Sequence, residues 1–141
     1  MINDLKEKII DSRLKHKLLD NLSDYQFNLE DAYNIQEEIN NTLSINGLGK
    51  IIGYKIGCTN KAIQRELNIN EPIYGALFKN KLIKNNSNIS LKNFIKVGVE
   101  CELYVTVAKN IINKDHLSKE KIENLFDYCG LSLEIVEDRF V

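Results

Sequence analysis

Two glutamates separated by a single residue stand in the run Val97-Gly98-Val99-Glu100-Cys101-Glu102-Leu103-Tyr104-Val105-Thr106-Val107-Ala108. The run is rich in β-branched and aromatic residues, which predicts one long strand. Side chains on a strand alternate between its faces, so Glu100 and Glu102 share a side, with Cα atoms about 7 Å apart. Two carboxylates at that spacing repel each other unless a cation lies between them or one takes up a proton. The chemistry open to the pair is the holding of a hard metal ion. A solvated strand face bearing two glutamates satisfies the same pattern, and the run alone does not separate the two. Val99, Cys101, Leu103, Val105 and Val107 fall on the opposite side, which is expected to face a core.

A second candidate is Lys55, in the apolar strand run Lys50-Ile51-Ile52-Gly53-Tyr54-Lys55-Ile56-Gly57-Cys58. A lysine there is either a functional amine or a strand-edge charge that discourages aggregation. Thr59 follows as a helix cap whose hydroxyl could also reach a ligand. Glu134 alternates out of Leu131-Ser132-Leu133-Glu134-Ile135-Val136 and, on those residues alone, points to solvent. Gly47-x-Gly49-x-x-x-Gly53 lacks the dinucleotide spacing and leads from a helix into a strand, the reverse of what phosphate cradling needs. The three cysteines, Cys58, Cys101 and Cys129, are odd in number and lack metal-ligand spacing, so buried cytosolic thiols are expected. His16 and His116 lie far apart in lysine-rich surroundings and are expected at the surface, with no shared site.

The elements that must position these residues follow from periodicity. Residues 2–22 carry apolar side chains at helical spacing, predicting an amphipathic helix or helix pair. Asn28 is placed to cap a helix over residues 29–43, with Glu30 and Asp31 in its first turn and Leu29, Ala32, Tyr33, Gln36, Ile39 and Leu43 along one side. Gly47 and Gly49 end it. A short helix over residues 60–67 follows Thr59, and Pro72, the single proline, leads into an extended segment to Phe78 whose Tyr74 and Phe78 suit packing. Residues 81–83 and 88–91 suggest short strands about an Asn/Ser turn, ahead of the glutamate strand. Ser118 caps a helix bearing Ile122, Leu125 and Phe126, Gly130 breaks it, and residues 131–136 form a final strand.

The whole chain limits the partners. Its 141 residues suit one domain, and 43% hydrophobic and 28% charged residues are those of a globular protein. A net charge of −1 supplies no field to recruit nucleic acid or an anionic membrane. No secretory signal or run long enough to span a membrane is visible, so a cytoplasmic location is expected.

Five pieces then stand in order: Asp31-Ala32-Tyr33-Asn34-Ile35-Gln36, Gly53-Tyr54-Lys55-Ile56-Gly57-Cys58-Thr59, Pro72-Ile73-Tyr74-Gly75-Ala76-Leu77, Val99-Glu100-Cys101-Glu102, and Leu133-Glu134-Ile135-Val136-Glu137-Asp138-Arg139. Together they resemble the 2-keto-4-pentenoate hydratase and 2-oxo-3-hexenedioate decarboxylase branch of the fumarylacetoacetate hydrolase superfamily. The resemblance implies an α+β fold: N-terminal helices over residues 1–47, then a mixed, mostly antiparallel sheet over 48–141, the first half of that superfamily's β-roll. It implies Glu100, Glu102 and Glu134 as ligands of Mg²⁺ or Mn²⁺, Lys55 as the catalytic amine, and Thr59, Gly75 and Leu77 as substrate-binding residues. It implies a lyase adding water to a 2-hydroxy-dienoate or 2-keto-4-enoate from aromatic-ring breakdown. Hydratases of the branch usually carry an acid where Ile73 stands, which brings in decarboxylation of a 2-oxo-3-enedioate as the alternative. Family members continue well past the third glutamate, so the chain is expected to be a fragment or one piece of a split protein. A homo-oligomer, association with a missing C-terminal half, or a non-catalytic partner subunit all follow as expectations.

Overall fold

The computed structural model describes residues 1–108, 122 and 124–140. In chain order the elements are α1 (Ile2–Lys15), α2 (Leu29–Leu43), a π-helical turn (Ser44–Leu48), β1 (Ile51–Gly57), α3 (Lys61–Glu66), β2 (Ile73–Phe78), β3 (Val97–Val107) and β4 (Phe126–Glu137). Helices followed by antiparallel strands make the α+β class expected. Among the described residues the strands form two antiparallel ribbons, β1 with β2 and β3 with β4, rather than one mixed sheet. The chain divides into two compact units: Met1–Ile95 with Arg139–Val141, and Lys96–Asp138.

In the larger unit, α1 ends at His16, whose backbone is left-handed at φ 50°. That conformation is costly to propagate, so the helix stops short of residue 22. His16 is half-buried, edge-on to the Phe94 ring, rather than fully at the surface. The Leu19 N–H donates to the Arg139 carbonyl, closing a parallel bridge between Leu19 and Phe140. Asn28 caps α2 as expected, its Oδ1 accepting from the Asp31 N–H at 2.8 Å. The buried stripe of α2 is Ile35, Ile39 and Leu43, packed with Leu48 and Phe78. Leu29, expected on that stripe, is exposed, because the core lies against the later turns. Ile9, Ile10, Leu14, Ile51 and Ala76 close the cluster from α1 and the first ribbon.

Several expectations are corrected here. Asn60, not Thr59, caps α3, its Oδ1 accepting from the Ala62 N–H at 2.7 Å. Residues 81–83 and 88–91 form no strand, having no partner to pair with among the described residues; 3₁₀ turns at Lys79–Lys81 and Leu91–Asn93 stand near them. Phe126 belongs to β4, and Gly130 lies inside that strand instead of breaking a helix. Ser118, His116 and most of the helix expected there fall outside the described residues.

In its described residues the smaller unit is a long two-stranded ribbon. Its apolar side, expected to face a core, is open: Val99, Val105 and Val107 are exposed, and Leu103 and Leu131 are 73% and 84% exposed. Alternation divided the faces correctly, but among the described residues no second layer covers this one. Cys101 and Cys129 are exposed with it and Cys58 is half-buried, so the buried-thiol expectation fails.

Candidate metal centre

Register builds the acidic site. β3 and β4 pair with Glu100 directly opposite Glu134 and Glu102 opposite Ser132. Directly opposed residues of an antiparallel pair share a face, so all three glutamates project from one side of the ribbon. One carboxylate oxygen of each lies within 4.8 Å of the others; Glu100 and Glu102 are exposed and Glu134 half-buried. Like charges directly opposite destabilise a strand pair, so this arrangement favours a bound cation. Three carboxylate oxygens gathered this closely are near enough to act on one ion together. An all-oxygen, all-anionic donor set is also what hard divalent ions select. The residues present therefore fit a divalent cation.

Glycine shapes the same face. A Cβ on Gly98 would come within 2.9 Å of the Val136 side chain, and one on Gly130 within 2.8 Å of the Tyr104 ring. Gly130 is thus a seat for Tyr104 rather than a turn. The Tyr104 phenol is pushed upward in pKa, first by burial and then by Tyr128. At the other end of the ribbon Lys96 pairs with Asp138 at 2.9 Å.

The first ribbon repeats the device. Lys55 pairs with Gly75, Gly53 with Leu77 and Gly57 with Ile73. Each large side chain lies over its glycine partner, with the Lys55 Cε 3.7 Å from where a Gly75 Cβ would stand. The result is a row on one face, Leu77, Lys55, Ile73, in which the amine is flanked by two aliphatic groups. The structure thus brings Lys55, Gly75 and Leu77 together. Thr59 does not join them: it lies past the end of β1, exposed, in the turn before α3. Residue types alone give no sign of Ser132 beside the glutamates, because its place depends on pairing register.

No family model matches the chain. The 2-keto-4-pentenoate hydratase of Burkholderia vietnamiensis is 30% identical over 108 residues, 77% of this chain and 40% of that protein. The 2-oxo-hept-4-ene-1,7-dioate hydratase of Escherichia coli is 33% identical over 114 residues, 81% of this chain and 42% of its own length. Among solved structures, the 4-oxalocrotonate decarboxylase of Pseudomonas putida G7, complexed with magnesium and adipate, matches with a TM-score of 0.85. That match covers 99% of this chain and 53% of the other, at 22% identity.

Over most of its length, the chain is similar to 2-keto-4-pentenoate hydratases.

It spans about two fifths of the curated relatives it matches, at 40% and 42% of their lengths. The hydratase resemblance read from five short pieces is therefore borne out over most of this chain, and the decarboxylase likeness shows the fold. No described helix is long and apolar enough to cross a membrane.

Proposed function

We propose that this chain carries the metal-binding part of a divalent-metal-dependent lyase that adds water to a short 2-hydroxy-dienoate or 2-keto-4-enoate. The observation that supports it is the convergence of three carboxylate oxygens within 4.8 Å on one ribbon face. Glu100 and Glu134 would each offer an oxygen from its own strand, and Glu102 a third, to Mg²⁺ or Mn²⁺. When bound, such an ion supplies Lewis-acid stabilisation of the negative charge that develops on a chelated 2-oxo acid. Lys55 would transfer a proton or, kept charged, bind an anionic group of the substrate. Gly75 and Leu77 would line the substrate beside it, and Thr59 would offer a hydroxyl.

Calorimetric titration with Mg²⁺ and oxalate, a mimic of an enolised 2-oxo acid, tests this reading. Binding by the intact chain that disappears in Glu102→Ala supports it. A folded chain that takes up neither favours instead a non-catalytic subunit working beside a full-length relative. Decarboxylation of a 2-oxo-3-hexenedioate is the second reading, favoured by one feature: Ile73 flanks Lys55 with an alkyl group that can neither orient water nor accept a proton. Carbon dioxide release from that substrate, without water addition to a monoacid, would select it. The exposed apolar side of β3–β4 supports association with a second copy or with further polypeptide, measurable by sedimentation. A cytoplasmic place in aromatic-ring breakdown completes the proposal.

A further inference from the structure

Between α1, α2 and the connector that joins them lies a cavity of about 310 Å³ in which neither the glutamates nor Lys55 take part. That volume is at the small end of the roughly 300–1,000 Å³ of small-molecule sites, which are mostly apolar with a few convergent polar groups. Leu5, Ile9, Phe27 and Ile39 supply apolar wall. The polar lining includes Arg13, Gln36 and Asn40, and no acidic residue lines the cavity among those described.

The polar groups have little else to do. Arg13 sits over the Phe78 ring, 5.6 Å from its centroid, and among the described residues its N–H groups form no ion pair or hydrogen bond. Burial, and then the nearby charge of Arg139, lower the pKa of its guanidinium. Asn40 is only 6% exposed, and its amide likewise makes no hydrogen bond among the described residues. Gln36 spends one N–H on the Tyr74 carbonyl at 3.3 Å. Nearby carboxylates are already committed: Asp4 to the Tyr25 hydroxyl and to Lys8, Glu38 to Lys6. A half-buried cation on a largely apolar cavity wall that carries no acid suits an anion brought from outside.

We propose that this cavity binds a small monocarboxylic acid with an apolar tail, its carboxylate on Arg13 and Asn40 and its tail against Leu5, Ile9 and Ile39. A charged amine of the same length meets Arg13 as a like charge, and an alcohol gains the wall but not the charge pairing. The site is thus selective by charge first and by length second.

Methyl-resolved NMR of the intact chain, titrated with hexanoate, hexylamine and hexanol, tests this. Hexanoate should shift the Leu5, Ile9 and Ile39 methyls saturably, hexanol more weakly, and hexylamine not at all. Arg13→Gln should weaken hexanoate at least about tenfold while leaving hexanol unchanged, the loss expected for a charge-assisted pair. Equal binding of hexanoate and hexylamine, shifts confined to other residues, or full hexanoate affinity in Arg13→Gln would each overturn the proposal. Should that variant fail to fold, the acid–amine comparison on the unaltered chain decides by itself.

Discussion

The ribbons β1–β2 and β3–β4 share one construction and differ in what surrounds them. In both, a strand glycine faces a large side chain that lies across it, leaving a functional group held in a row with its neighbours. The first ribbon turns Ile51, Ala76 and Phe78 onto a helical core. Among the described residues, the second keeps its apolar side open. Two-stranded ribbons without a packed face are marginal in water. Strand pattern therefore fixes which residues share a side, while the layer packed on that side supplies most of the stability.

Core truncation should separate the ribbons most widely. Leu43, 0% exposed, should cost about 2–5 kcal/mol when changed to Ala, whereas Leu103→Ala should stay within about 0.5 kcal/mol. Urea denaturation followed by circular dichroism measures both. If Leu103→Ala costs as much as Leu43→Ala, the second ribbon's apolar side is covered in solution and the contrast is broken.

Glycine substitution should give a smaller split. Gly98→Ala drives a methyl to 2.9 Å from the stiff Val136 side chain and should cost about 1–2 kcal/mol. Gly53→Ala meets nothing nearer than Leu77 at 3.8 Å and should be neutral within about 0.5 kcal/mol. The same denaturation series reads both, and equal costs would mean that the two glycine seats are not distinguished by packing.

The smallest effect concerns the helical side of the larger unit. The Tyr25 hydroxyl, and then Lys8, hold the Asp4 carboxyl below its ordinary pKa. A carboxyl depressed by folding stabilises above its unfolded pKa, and that contribution is lost as pH falls through the folded value. NMR titration should place the Asp4 midpoint below that of an unpaired aspartate, and Tyr25→Phe should move it back up. An unmoved midpoint would show that the Tyr25 contact is not populated in solution.

Much of this was legible beforehand, and the failures share a cause. Helix α2 was readable to its ends because a capping asparagine and helical spacing are local signals. The shared side of Glu100 and Glu102 follows from strand geometry alone. Glu134 needed either a resemblance or the register, since its partner is 34 residues away in sequence. Gly130 was misread because a glycine beneath an aromatic ring and a glycine at a turn look alike in sequence. Cys101 was misplaced because alternation distinguishes two sides without saying whether anything covers either. Arg13 gave no signal at all, being one more basic residue near the end of a polar helix.

The direct opposition of Glu100 and Glu134 has a bearing on order as well as chemistry. Each glutamate is anchored to a different strand, so the proposed ion, taken up between them, would act as a rivet across the ribbon. Occupancy and strand pairing then rise and fall together, and backbone amides along the ribbon should exchange with solvent more slowly as magnesium is added.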